Sequence, residues 1–352
     1  VLTAPAKELG ELTPLQRQTL MAGQRGADWL FRMHNLKGRF TSGWLPALKQ
    51  PMDEDTFLRQ AAAAEALARA AQILAEDKYA ARATQAVLSL LEDTEEKEGC
   101  RLVQLPGPDS YRLECTGALL AALTVVPSPQ ADLLAMGEQM AQAVRKSASP
   151  PAIALVGVMR SHQLRPAAWK PEFVARSLTA CKAAFHSART PEGASALATA
   201  CAECWLACKD RGAAEALYGL ADWVEDLQYS QIDPARMTWF GGFRSWEDGK
   251  AAERMPDARG AHLARVAVEA CRVAKDQGDA ARYQRYADTA ERALQFLATL
   301  QYTDAGTQHF LAWYRPRIVG GFHNSPVDER LRIDHTAHAV MAFVGHIKQA
   351  AR

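Results

Sequence analysis

Apolar residues recur at i, i+3, i+4 and i+7 through most of the chain, and the runs that carry this period are broken by Pro, Gly and charged clusters. Taken with cap and breaker signals, the period predicts helices near 14–34, 55–75, 78–93, 113–125, 130–146, 151–162, 171–187, 193–209, 212–228, 257–276, 279–301 and 333–350. Pro106-Gly107-Pro108, Pro127-Ser128-Pro129 and Pro150-Pro151 mark connections, because proline lacks a donor and restricts the residue before it. Links this short make successive helices antiparallel neighbours.

Composition sharpens the class. Of 352 residues, 67 are Ala while Val and Ile together supply only 23, so the chain reads as all-α. About twelve helices fit one domain over residues 1–352. With 41 Lys+Arg against 40 Asp+Glu and no basic block, a nucleic-acid partner is not expected. Charged or amide residues interrupt every apolar run short of the ~18–20 residues of a membrane span, so none is expected. A start at Val1 without Met fits a processed or trimmed chain; the compartment stays open, with a secreted or periplasmic setting favoured over the cytoplasm. Cys201, Cys204 and Cys208 form one helical stripe and read as small core residues rather than a metal cluster.

The C-terminal half repeats itself. Leu227-Gln228-Tyr229 and then Gly241-Gly242-Phe243 are echoed by Leu300-Gln301-Tyr302 and then Gly320-Gly321-Phe322, and each Gly-Gly-Phe precedes an acidic residue and a helix. Trp29-Leu30, Gly38-Arg39-Phe40 and Asp55 through Arg59 carry a degraded copy. The unit is helix, glycine turn, acidic residue, helix.

Gly320-Gly321-Phe322, Pro326, Asp334, Thr336 and Ala339 resemble the repeat of α/α-toroid proteins, the superfamily of squalene cyclases and protein prenyltransferase β-subunits. The resemblance implies an (α/α)6 toroid. It does not carry over the chemistry of those enzymes: there is no Asp-x-Asp-Asp, no Asp-x-Cys (Thr336 stands two after Asp334), and no Cys-Gly-Glu-Gln of the thioester-bearing toroids.

In a toroid, polar residues in the first turns after the glycine loops face a central cavity. These are Asp55, Arg59, Tyr111, Arg112, Glu114, Asp257, Arg259, His262, Asp334, His335 and His338. Asp55, Asp257 and Asp334 also read as helix caps. His335 and His338 share a face at i, i+3, with His262 at the matching position of the preceding repeat. Three chemistries stay open for this set. Imidazoles with Asp334 suit a divalent metal. Imidazoles with Tyr111 and an Arg suit proton abstraction beside a carboxylate, as in a polysaccharide lyase. Glu114 with Asp257 or Asp334 suits glycoside hydrolysis. No cofactor is required, and the His pair also reads as a hydrogen-bonded core pair.

Trp239 and Trp246 on the 229–256 loop, together with Trp313 and Trp44, are expected to stack sugars, or else to plug the toroid; Arg59 and Arg259 are expected to bind carboxylate or hydroxyls. The leading expectation is a carbohydrate-active enzyme, a glycoside hydrolase or polysaccharide lyase. Its alternatives are a non-catalytic toroid that binds a partner protein, with the cavity filled by its own side chains, and an isoprenoid-type enzyme with an apolar, aromatic-lined cavity.

Overall fold

The computed structural model describes residues 12–350, and twelve α-helices lie within them. They are α1 Pro14–Met33, α2 Phe57–Leu74, α3 Asp77–Leu91, α4 Asp109–Leu123, α5 Ala131–Arg145, α6 Ala152–Leu164, α7 Trp169–Ser187, α8 Pro191–Cys208, α9 Arg211–Leu227, α10 Gly260–Gln277, α11 Ala280–Thr299 and α12 Ile333–Ala350. Every predicted helix is present. The largest departures are α4, which begins at Asp109 because Pro108 occupies its N-cap, and α10, which begins at Gly260 rather than 257.

The even-numbered helices form an inner ring in which each packs on the next and α12 returns to α2; the odd-numbered helices form the outer layer. This is the (α/α)6 toroid. Alanine makes the inner ring possible: Ala61, Ala63, Ala64, Ala66, Ala68, Ala70 and Ala71 of α2 are all buried, at little side-chain entropy cost and with backbones close together. The approach is tightest between α4 and α6, where a Cβ on Gly117 would strike the Ala154 backbone and one on Gly157 would lie 2.8 Å from Leu120 Cγ.

The repeated Gln and Gly residues explain how one hairpin docks on the next. Gln228 Nε2 donates to the carbonyls of Gly241 (3.1 Å) and Thr289 (2.9 Å), while Arg292 of α11 donates to Gln228 Oε1 (2.8 Å). In the last repeat Gln301 Nε2 donates to Gly320 O (3.1 Å) and Ala22 O (2.9 Å), and Arg25 of α1 donates to Gln301 Oε1 (3.0 Å). The C-terminal turn therefore grips the first helix by the contacts that join neighbouring hairpins elsewhere, and the ring closes. Single β-bridges Gln228–Phe243, Gln301–Phe322 and His34–Phe40 mark the same corner in three repeats, the degraded N-terminal copy included.

Short strands, which the helical pattern did not foretell, decorate the connections. β1 Gly43–Leu45 pairs with β2 Gln50–Pro51; β3 Thr94–Lys97 pairs with β4 Cys100–Val103; β5 Ser245–Glu247 pairs with β6 Lys250–Ala252; β7 His323–Ser325 pairs with β8 Asp328–Arg332. β1 also pairs antiparallel with β8, Trp44 opposite Leu331, a second tie between the first and last repeats. Cys201 and Cys204 are buried in the core and Cys208 is exposed at the end of α8; all seven cysteines are free. No described helix is long and apolar enough to cross a membrane.

Candidate active site

The inner helices present their N-terminal turns to a cavity of about 650 Å³ on the toroid axis. Its lining is layered by position along these helices. Arg59, Glu192, Asp257, Arg259, Arg332 and Asp334 belong to the first turns and the loops before them. His262 and His335 lie in the same first turns, Glu114, Ser195, His338 and Arg265 stand about a turn further in, and Glu65, Arg160 and Thr199, two turns in, form the floor.

The three histidines converge as their spacing suggested. The rings of His262 and His338 lie against each other with centroids 3.7 Å apart and planes tilted by 36°, and Arg265 Nη1 lies 2.8 Å from His338 Nδ1. A guanidinium only donates, so His338 Nδ1 is assigned as the acceptor and its proton sits on Nε2. Burial pushes His262 down to about 3 and His335 down to about 4, and burial together with His262 and Arg265 holds His338 well below the usual histidine value. At neutral pH all three are uncharged. His262 Nδ1 and His335 Nδ1 are buried without a hydrogen-bond partner, while His338 of the expected His335–His338 pair meets Arg265 through its Nδ1.

The carboxyl groups divide into two sets. Burial would raise Asp334, but Arg332 at 2.6 and 3.0 Å and Arg59 at 3.4 Å hold it far below the usual carboxylate range. Glu192, half exposed, is likewise lowered: partial burial opposes ionisation, an imidazolium at His262 favours it only at acid pH where that ring is protonated, and the Arg259 guanidinium at 3.1 Å favours it throughout. Glu114 and Asp257 are raised, both mainly by burial, and Asp257 is pushed further by the nearby Glu192.

The cap assignments need correction. Thr56, in the extended N-cap conformation, caps α2 through its hydroxyl (3.3 Å from Arg59 N), while Asp55 accepts from Thr56 N and Gln60 Nε2 instead. Asp334 sits inside the first turn of α12, where its oxygens meet Arg332 rather than free backbone N–H groups. Asp257 does serve the start of α10, accepting from Arg259 N at 2.9 Å.

The aromatic candidates and Tyr111 lie apart from the cavity. Tyr111 is not in its lining, and burial pushes its hydroxyl up to about 12. Trp44 donates its indole N–H to Tyr314 Oη at 2.7 Å, behind the β1–β8 pairing, and so anchors ring closure. Trp313 is 69% exposed on the outside. Trp239 packs on Tyr229 (5.4 Å) and under Arg236. Trp246 alone of the four tryptophans reaches the site: with Trp223, Arg189 and Arg244 it lines a side pocket of about 200 Å³ that shares Asp257 and Arg259 with the main cavity. Sequence reasoning missed Glu192, Ser195, Arg160 and Arg265. Glu192 and Ser195 follow the Thr190-Pro191 helix start, a signal that could have placed them at the mouth; the two arginines lie too deep in their helices for such a signal.

Among the described residues no three His, Cys, Asp or Glu side chains form a metal-binding group. The chain matches no protein-family model and no curated protein. Among solved structures it is similar to an unsaturated glucuronyl hydrolase of Streptococcus agalactiae (TM-score 0.66, 11% identity, 98% of this chain and 96% of that one). It is also similar to a cellobiose 2-epimerase of Bacillus thermoamylovorans (0.65, 9%, 92% and 98%) and to an α-1,6-mannanase of Salegentibacter sp. (0.64, 8%, 95% and 100%). A variant of that mannanase is known in complex with α-1,6-mannotriose. At these identities the likeness is one of architecture, and it bears out the α/α toroid along nearly the whole chain.

Proposed function

We propose that the chain is a carbohydrate-active enzyme that hydrolyses a glycosidic bond at the mouth of the central cavity, with Asp257 as general acid and Glu192 as the ionised partner. One observation carries the reading: two neighbouring carboxyl groups joined through Arg259 are displaced in opposite directions, one toward holding a proton and one toward losing it. Glycoside cleavage needs that division of labour, an acid for the leaving oxygen and a carboxylate for water or the sugar carbon. Arg59 and Arg259 are placed to bind hydroxyls at the rim, and Trp246 offers a flat face in the adjoining pocket. The architecture shared with enzymes named for sugar substrates supports the same class.

The lining argues against the two other classes. It contains Arg, Glu, Asp and His and no Phe, Tyr or Trp, unlike an isoprenoid cavity, and its open volume is not filled by the protein's own side chains as a purely structural toroid would require. A second reading within the carbohydrate class, β-elimination, rests on the unpartnered Nδ1 atoms of His262 and His335, uncharged bases at neutral pH.

The test is reducing-end release from a panel of neutral and acidic oligosaccharides by the wild type, Asp257→Asn, Glu192→Gln and His335→Gln. Hydrolysis predicts that D257N and E192Q each lower kcat by about 10²–10⁴-fold, the range for a lost acid or base. Full turnover in D257N overturns the assignment. An ultraviolet-absorbing unsaturated product, abolished in H335Q, establishes elimination instead.

A further inference from the structure

Beneath the cavity floor the toroid axis is filled by charge. Glu65 pairs with Arg69 (2.8 Å) and Arg160 (2.9 Å); Glu203 pairs with Arg160 (3.4 Å) and Arg272 (3.1 Å); Glu269 pairs with Arg272 (2.9 Å). Arg265 completes the cluster, but its partners are neutral: His338 Nδ1 at 2.8 Å and Thr199 Oγ1 at 3.4 Å. Four arginines therefore face three glutamates, and one positive charge is left over. The excess sits at the cavity, because Arg265 and Arg160 are the two arginines of the cluster that line it.

Polar atoms without partners gather at the same place. Arg160 Nη2, Ser195 Oγ, His262 Nδ1 and His335 Nδ1 are all buried with no hydrogen bond, and all four residues line the cavity. The Arg160 side chain is only 4% exposed, and Ser195 stands one turn of α8 nearer the mouth than Thr199. A buried N–H of a guanidinium and a buried hydroxyl left unpaired are costly, and a buried surplus charge more so. What satisfies donors and surplus together is an acceptor bearing one negative charge.

We propose that the lower part of the cavity, where Arg265 and Ser195 meet Arg160 and its partner Glu65, binds a single anionic substituent carried on a sugar ring, a carboxylate or a sulfate ester. The inference rests on the carbohydrate reading above and narrows it to acidic sugars. The planar guanidinium groups suit an oxyanion with two or three equivalent oxygens, and the burial of Arg160 and Arg265 strengthens each contact. The rim carboxyl groups remain free for chemistry on the adjoining bond.

Isothermal titration at pH 7 tests this with four probes: a uronate disaccharide, its methyl ester, a sulfated disaccharide, and acetate. The expected result is that the uronate or the sulfated sugar binds at least tenfold more tightly than the neutral ester, and which of them does so identifies the anion. Two variants check the location. Arg265→Gln removes the surplus charge, and Ser195→Asp supplies the missing carboxylate from within while keeping every arginine. Each is expected to bring the preference to within twofold. S195D is also expected to raise Tm, which shows that it folds even if R265Q does not. Equal affinity for uronate and ester overturns the anionic floor and leaves the carbohydrate reading standing. Binding of acetate alone, with none of the sugars, upholds the floor and overturns the carbohydrate reading, and binding of none of these overturns both.

Discussion

His262 and His335 hold their ring nitrogens uncharged inside the toroid, at about 3 and about 4 against an ordinary value of 6.5. An unfolded chain takes up those protons near pH 6.5 and the native chain only near 3 to 4, so stability is full above about pH 6.5 and falls progressively below it. We expect Tm to drop on going from pH 7 to pH 5, and the drop to be smaller in His262→Gln, which removes one of the proton uptake steps. An equally steep fall in the variant shows that the acid lability lies elsewhere. These residues were legible in the sequence because helical spacing and repeat position alone bring His262, His335 and His338 to one cavity. The carboxyl roles were not legible. Asp257 is raised chiefly by burial, with Glu192 a minor addition, whereas at Asp334 the same burial is overridden by Arg332, and only the folded chain sets that burial and those neighbours.

At the scale of elements, helix positions followed from the apolar period, and the Gly-Gly-Phe echoes marked corners that proved equivalent down to single hydrogen bonds. The strands escaped notice for a physical reason. Each is two to five residues long and mostly half-buried or exposed, so no alternation develops, and their pairing is set by ring closure rather than by local propensity. The aromatic residues misled for a related reason: Trp44 and Trp239 serve the corners of the toroid, where large amphipathic rings anchor loops. Gly320 is the most demanding of these corner positions. Its φ is +95°, and a Cβ there would run into the carbonyl of Arg25 on α1. Gly320→Ala should destabilise the chain by about 2 kcal/mol or more, the scale of a strained backbone joined to a steric clash. Gln301→Ala, which deletes three side-chain hydrogen bonds at the same corner, should cost a comparable amount. Urea unfolding of both variants measures this, and a G320A midpoint equal to wild type removes the corner from the account of closure.

Over the whole molecule, the inner ring leaves an axis that six helices cannot fill with alanine alone. The chain fills the lower part with an ion network drawn from α2, α6, α8 and α10, and leaves the upper part open as the cavity. Such a network is weak evidence of stabilisation relative to an apolar plug, since the charges must first be desolvated. It does make each member hard to remove singly. Glu203, 5% exposed, accepts from Arg160, Arg272 and Gln163, so Glu203→Gln leaves the four arginines of the cluster facing only Glu65 and Glu269. The expected loss is about 3–5 kcal/mol. Lys209, 55% exposed in its 2.6 Å pair with Asp276 at the far end of α8, is the matched control: Lys209→Met should cost about 0–1 kcal/mol. If urea denaturation finds the two variants alike, the axial charges are solvated rather than enclosed. The surplus positive charge assigned to the cavity floor then loses its basis, because water rather than a ligand would answer it.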